Sequence, residues 1–546
     1  MARPIRVTDA MIEKYIKGGY WEWATFADLF ERWVDKQPDK EFLADTSVRL
    51  TWGQAKKQVD RIALGLLQSG IKRDEVIVIM LHNCAEWVLF WLGCQKAGIL
   101  SLSLMMTLRH EELKSIVKMS EARGIVIPMK YRNLDYYDMV KGLTHDLPGL
   151  KHIFMTGEGV PEGAISVKQM IEEPLEERFS IKDLEKVSFK ADETIQLGQT
   201  SGSTGLPKIY ETFGFVGPAF IKHHIKRLKM TEDDVILAAA PFAGGPGGGA
   251  LRLVMGTGSR LLILENFEVE EILGLVERER VTAITLVPTI LMRIGAHPDL
   301  NKYDLSSLRF IRAAGAPLSY EQAMDIEQRI GAPIVNGYGA TDWGHLATPC
   351  IDDPPEIRLG TCGKPWDGNE FRLLDEAGNE VAPGEAGLVV GRGPFTTGGF
   401  YKDPERTFEM WDKDGWATTG DIAKFDEQGN LVLVGRQKDM IIRGGQNIYP
   451  IEVERLLLAH PKVSNVAIVG MPDAEMGEKA CAFIIPRTGQ EFGFEEMVSY
   501  LKEKQLAPFK LPERLEIVDS LPLLGGGKID KRTLSARLTG ESTAGK

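Results

Sequence analysis

Near-continuous apolar runs separated by stretches of helical periodicity recur up to about residue 350: VIVIML (76–81), ILSLSL (99–104), RGIVIP (123–128), DVILAAAPF (234–242), RLLILENF (260–267), VTAITLVP (281–288), LRFIRAAG (308–315) and PIVNGYG (333–339). A strand that is apolar at every position must be covered on both faces. Helices lying between such strands supply that cover, so the pattern predicts parallel sheets in an α/β chain. With 546 residues the chain exceeds one ordinary core, which predicts two or more domains. The most apolar stretch, WVLFWLGCQKAGILSLSLMM (87–106), is interrupted by Gln95 and Lys96. It reads as a buried helix running into a strand, and no integral membrane segment is expected.

The pattern changes after about residue 350. EFRLLDEAGNEVAPGEAGLVVGRG (370–393) and DGWATTGDIAKFDEQGNLVLVGR (414–436) carry turn signals at short intervals and read as antiparallel hairpins, a small barrel or sheet. From QKDMIIRGGQNIYPIEVERLLLAHPKV (437–463) onward, helix and strand patterns mix in a separate unit. A domain boundary is expected near Lys438–Asp439, giving domains 1–438 and 439–546.

The net charge of −12 argues against a nucleic-acid partner, so an anionic ligand needs a local device to hold it. The five cysteines include no CxxC pair, which makes zinc improbable and suits reduced thiols in the cytoplasm. The N-terminus, MARPIRVTDAMIEKYIKGGYW, has no apolar core and is not expected to be a signal peptide. A local device for an anion does occur. The strand TIQLG (194–198) runs into QTSGSTGLPKI (199–209), a Gly/Ser/Thr loop ending near a lysine. Backbone N–H groups and hydroxyls in such a loop suit phosphate oxygens. It is not a Walker A loop, because Pro-Lys-Ile stands where Gly-Lys-Ser/Thr would be. Taken alone, a plain surface loop remains an alternative.

Together QTSGSTGLPK, RAAGAPLS (312–319), NGYGATDWG (336–344), GWATTGD (415–421), GRQKDMIIRGGQNIYPIEVE (435–454) and GGGKIDKR (525–532) resemble the adenylate-forming superfamily, in order and over about residues 50–535. The C-terminal third is most similar to stand-alone aryl-acid ligases of the 2,3-dihydroxybenzoate-AMP ligase type. The resemblance implies a large N-terminal domain of two parallel-sheet α/β subdomains plus a small β-barrel, then a small mobile α+β C-terminal domain. It implies two steps: a carboxylate and ATP give acyl-AMP and pyrophosphate, and a thiol then displaces AMP.

By the same resemblance Thr200, Ser201, Gly202, Ser203, Thr204, Gly205 and Lys208 hold the ATP phosphates. Tyr338 stacks on adenine beside the strip Gly315, Ala316, Pro317, with Gly339 adjoining and Thr341 at the α-phosphate. Asp421 takes the ribose hydroxyls with Arg436 as its partner. Asp342 stands where the family usually has glutamate and is the Mg²⁺ candidate; it keeps a hard oxygen donor on a shorter stem. Lys528 is the adenylation lysine, and the run from Pro522 to Lys528 fits P-x-x-x-x-G-K, a setting for regulatory acetylation. Asp439 is the hinge, and Gly444 and Gly445 line a CoA tunnel or simply make a tight turn.

The acid pocket departs from relatives. PFAGGPGGG (241–249) places Gly244 and Gly245 where hydroxybenzoate ligases carry His and Asn. His223 and His224 are expected to be structural, so no acid–base histidine is assigned. The expected substrate is an apolar aromatic or alicyclic acid, with Phe242 and Trp343 as walls and Phe215 as a further candidate. The leading reading is an acid–CoA ligase using ATP, Mg²⁺ and CoA. The alternatives are an aryl-AMP ligase that loads a separate carrier protein, a medium-chain acyl-CoA synthetase, a luciferase-type oxidase and a non-catalytic binding module. The oligomeric state is left open, with a homodimer compatible.

Overall fold

The computed structural model describes residues 3–200, 208–315, 318, 320–340, 343–523 and 529–539. Two large sheets carry the N-terminal part. One has seven strands in the order Lys208–Phe213, Thr194–Thr200, Leu100–Ser103, Val76–Ile79, Gly124–Pro128, His152–Thr156, Ile165–Ser166. All neighbours are parallel except the first pair, which is antiparallel. The other has eight strands: Gly344–Ala347, Ile334–Ala340, Phe310–Ala314, Ala283–Leu286, Val235–Ala238, Arg260–Ile263, Glu41–Ala44, Arg49–Thr51. Its interior is parallel and an antiparallel strand closes each edge. The strands read from the apolar runs are these strands. Val76–Ile79 and Ala283–Leu286 are buried at every position, as sheets covered on both faces require.

The helix Ala85–Ala97 is buried along almost its whole length and leads to the strand Leu100–Ser103 through Gly98. Gly98 has φ +65°, and a Cβ there would stand 2.1 Å from the Val187 carbonyl oxygen, so only glycine fits. Gln95 and Lys96, the two polar breaks in this stretch, are buried, Lys96 fully paired and Gln95 bonded through its amide nitrogen. Gln95 Nε2 donates to the Ile195 carbonyl at 3.0 Å. Lys96 Nζ pairs with Asp60 and Glu31, and Lys56 reaches Asp60 at 2.6 Å. Asp60 is 5% exposed, so removing Lys96 strands a charge that water cannot reach. Lys96→Met is expected to lower unfolding stability by roughly 3 kcal/mol, the low end for breaking a buried pair because Lys56 remains. Denaturant melts check this, and a loss below about 1 kcal/mol would show that Lys56 alone suffices.

The hairpin region is a four-stranded antiparallel sheet, Glu370–Leu374, Gly387–Arg392, Ala417–Phe425, Leu431–Arg436. Among the described residues no ladder joins its first strand to its last, so of the small barrel or sheet expected from the hairpins it is the sheet. The 3-10 turn Gln437–Asp439 follows it. Beyond that turn a five-stranded sheet with the helices Pro450–Leu458 and Phe494–Glu503 encloses its own core of Ile441, Val453, Leu457, Val466, Ile484 and Met497. Among the described residues no helix is long and apolar enough to cross a membrane.

Candidate active site

Asp421 lies in the strand Ala417–Phe425 directly opposite Arg436 of the next strand. Opposed residues on antiparallel strands share a face, and here Arg436 Nε donates to Asp421 Oδ1 at 2.8 Å. The other carboxylate oxygen accepts from the hydroxyl of Tyr338 at 2.6 Å, and Thr419 Oγ1 lies 3.3 Å from the same hydroxyl. Tyr338 comes from the strand Ile334–Ala340 of the eight-stranded sheet, so this contact ties that sheet to the four-stranded one. Asp421 is 3% exposed. Burial, then the Asp421 charge, pushes the Tyr338 phenol well above its ordinary range, so it stays a neutral donor. Burial works against the Arg436 charge, but Asp421 and Asp439 outweigh it and hold the guanidinium firmly protonated. Two ionised carboxylate oxygens offer about four acceptor sites, and these partners occupy only part of them. The remainder suits a vicinal diol.

Two of the phosphate-loop candidates, Thr200 and Lys208, sit at the edge of the seven-stranded sheet. Thr200 ends one strand and Lys208 begins the next, and the two are paired across the ladder. Lys208 Nζ lies 5.2 Å from the centre of the Phe400 ring. Ser201, Gly202, Ser203, Thr204, Gly205, Ala316, Pro317, Thr341, Asp342 and Lys528 lie outside the described residues. Gly315, at φ +102°, leaves the strand that precedes Tyr338's, and Gly339 is an exposed residue of Tyr338's own strand. Among the described residues no group of three or more His, Cys, Asp or Glu could hold a metal ion.

The glycine run after Phe242 opens the helix Gly245–Thr257. Gly244 is its N-cap at φ −100°, which any residue adopts, and a Cβ there would meet only the Pro241 carbonyl oxygen at 3.3 Å. A Cβ on Gly245 would meet nothing within 4 Å. Backbone conformation therefore does not demand glycine at either place; Gly245 borders open space, while a side chain at Gly244 would press on the Pro241 carbonyl. Asn83 holds this turn from the opposite sheet, accepting from the Phe242 N–H at 2.9 Å and donating to the Ala240 carbonyl at 2.9 Å. The Phe242 ring lies 5.0 Å from that of Trp87.

Two of the expected pocket walls lie elsewhere. Trp343 is 0% exposed and stacks on Phe371 at 5.8 Å in the core beside the four-stranded sheet, so it offers no surface to a ligand. Phe215 is enclosed in an N-terminal aromatic cluster, stacked on Trp21 at 4.8 Å. The two histidines are structural. His223 stacks on Trp366 at 4.1 Å, and burial first, then nearby Arg227, pushes its pKa down to about 3. His224 Nδ1 meets the Phe220 carbonyl at 3.1 Å.

The C-terminal glycines make a two-residue hairpin loop between Arg443 and Gln446, with φ +55° at Gly444 and +79° at Gly445. Both values lie in the left-handed region that a type I′ turn needs, so the turn alone accounts for Gly-Gly. Asp439 ends the 3-10 turn between the two units. Sequence reasoning passed over two residues here. Arg312 is buried inside the RAAGAPLS strip, and Arg252 lies on the helix that the glycine run opens. An arginine in the middle of an otherwise apolar strand was the available signal.

The match to known proteins covers both units. Residues 30–401 match the AMP-binding enzyme family and residues 452–528 the AMP-binding enzyme C-terminal domain. The chain is 31% identical to the 2-hydroxy-7-methoxy-5-methyl-1-naphthoate–CoA ligase of Streptomyces carzinostaticus, covering 97% of this chain and 96% of that one. It is also 31% identical to the 2,3-dihydroxybenzoate-AMP ligase of Bacillus subtilis (strain 168), covering 98% of each. Its structure is similar to that of the anthranilate CoA ligase AuaEII in complex with anthranoyl-AMP, with a TM-score of 0.85 and 25% identity over 94% of this chain and 97% of that one. The chain belongs to the AMP-binding enzyme family, within the adenylate-forming superfamily of acid–thiol ligases.

Proposed function

We propose that the protein is an ATP-dependent carboxylic acid–CoA ligase acting on an aromatic or alicyclic acid. The observation that carries this is the Tyr338–Asp421–Arg436 constellation, a buried, charge-assisted acceptor suited to a ribose, with Tyr338 on the strand next to the one that leads to Gly315, in the same sheet as the Val235–Ala238 strand that leads to the turn at Gly244 and Gly245. In the first step a carboxylate oxygen of the acid attacks the α-phosphorus of ATP. The bond from that phosphorus to the bridging oxygen breaks and pyrophosphate leaves. In the second step the CoA sulfur attacks the acyl carbon, the bond to AMP breaks, and the thiol proton is released. Lys528 is proposed to offset the charge that builds at the α-phosphate in the first step. Lys208 and the 200–205 loop are proposed for the leaving phosphates, and Asp342 for Mg²⁺. Asp439 is the proposed hinge that exchanges the C-terminal faces between steps, bringing the Gly444–Gly445 turn to the pantetheine arm. No histidine is required, because an ionised carboxylate is already the nucleophile.

A second reading, transfer to a separate carrier protein, is favoured by the likeness to a 2,3-dihydroxybenzoate-AMP ligase. Acid-dependent ATP–pyrophosphate exchange over a panel of carboxylic acids, followed by product analysis with CoA, tests both. Acyl-CoA released at a rate comparable to exchange is the expected result. Exchange with no acyl-CoA would shift the assignment to carrier loading, and no exchange with any acid would overturn adenylation itself.

A further inference from the structure

Two arginines beside the proposed acid pocket have no counter-charge among the described residues. Arg312 projects from the strand Phe310–Ala314 and is 4% exposed, yet its Nε and Nη1 have no hydrogen-bond partner. Its Nη1 faces Gly249 of the Gly245–Thr257 helix, where an added Cβ would stand 3.3 Å away. Its Nη2 faces Gly337, the residue before Tyr338, where an added Cβ would stand 3.8 Å away. Arg252 sits one helical turn beyond Gly249, its guanidinium 5.8 Å from the centre of the Phe220 ring. Among the described residues neither arginine forms an ion pair. Burial, then the charge of Arg252, pushes the Arg312 guanidinium down to about 10, which still leaves it cationic at neutral pH. Burial likewise lowers Arg252.

A buried guanidinium with unused N–H groups is costly unless a partner arrives. Two other buried cations show the usual solution. Buried Arg358 is paired with Glu327 and buried Lys96 with Asp60 and Glu31. Arg312 and Arg252 instead lie next to each other, and two like charges raise the demand for an anion between them. The glycines at 249 and 337 keep side chains off the guanidinium, and Gly245 leaves space at the start of the same helix. Arg312 thus lies against a glycine-rich helix face and the strand of Tyr338.

We propose that the acid substrate is a dicarboxylate: one carboxylate is adenylated, and the second is held by the Arg312 guanidinium with Arg252 behind it. This rests on the ligase reading above and narrows its substrate class. A guanidinium fork matches a carboxylate bidentately, and such a pair discriminates strongly because an acid lacking the group leaves the fork unpaired. An otherwise apolar ring between the two carboxylates fits the space beside Phe242.

The test is pyrophosphate exchange on matched pairs: isophthalate or terephthalate against benzoate, cyclohexane-1,4-dicarboxylate against cyclohexanecarboxylate, and adipate against hexanoate. The protein is expected to prefer the dicarboxylate of at least one pair by roughly 100-fold or more in kcat/KM. Arg312→Met should bring that ratio to about 1 or reverse it, and Arg312→Lys, which keeps the charge but loses the fork, should give an intermediate ratio. The preferred dicarboxylate, with ATP absent, should raise the melting temperature of the unaltered protein and leave that of Arg312→Met unmoved. If Arg312→Met does not fold, Arg252→Met decides, with a fall in the ratio of about tenfold expected. The proposal is overturned by a preference for the monoacid in every pair, or by a ratio unchanged in the variants. It is also overturned by equal loss on both acids of a pair, which would place Arg312 at the reacting carboxylate or the phosphates. No exchange with any acid in either series would instead remove the ligase reading.

Discussion

Lys528→Ala is expected to slow acyl-AMP formation by roughly 100-fold or more, while thiolysis of preformed acyl-AMP is largely spared. Negative charge accumulates on the carboxylate and the α-phosphate oxygens as the first transition state forms. A single preorganised cation there contributes about 3 kcal/mol. The second step breaks a bond to AMP after the proposed rotation at Asp439 has carried the lysine away, so its loss should matter little. Single-turnover assays of each step, with acyl-AMP supplied in the second, separate the two. Equal loss in both would refute the assigned role and indicate a general structural defect, which a melting curve would reveal. Acetylation of the same lysine removes its charge and is expected to reproduce the pattern.

Asp421→Ala is expected to reduce kcat/KM for ATP by roughly 100-fold, chiefly through KM. The carboxylate is buried and accepts from Tyr338 and Arg436. Truncating one member of a buried, hydrogen-bonded charge pair costs about 2–5 kcal/mol, because the partners are left unpaired. Tyr338→Phe removes one donor and keeps the ring, so it should cost only about 1 kcal/mol, a several-fold effect. The ratio between the two variants is the informative quantity. Pyrophosphate exchange at varied ATP measures it, and a KM for ATP within about threefold of the unaltered protein in Asp421→Ala would remove the ribose assignment.

Much of the architecture was legible because it depends on short-range patterning. Runs such as VIVIML and VTAITLVP are apolar at every position, and only a strand covered on both faces tolerates that. The family, too, was legible, since its motifs are contiguous and keep their order. Other features were not. Gln95 and Lys96 read as mere interruptions, because Asp60, which makes Lys96 acceptable in the core, is far away along the chain. Trp343 was expected to be a pocket wall; only the packing of Phe371 against it shows that the ring is enclosed in the core. The hairpins fitted either a small barrel or a sheet, and whether a set of antiparallel strands closes depends on pairing between its first and last members.

By itself the sequence determined the alternation of strands and helices, the change of character near residue 437, and the family to which the chain belongs. The first two follow from solvent exclusion and backbone preferences acting over a few residues. The tertiary structure alone decided that Tyr338 donates to Asp421 across two sheets, that Gly245 borders open space rather than strained backbone, and that Arg312 Nε and Nη1 have no partner among the described residues. Each depends on where distant segments come to rest. A side chain's partner is set by the fold's geometry, and local pattern carries no record of it.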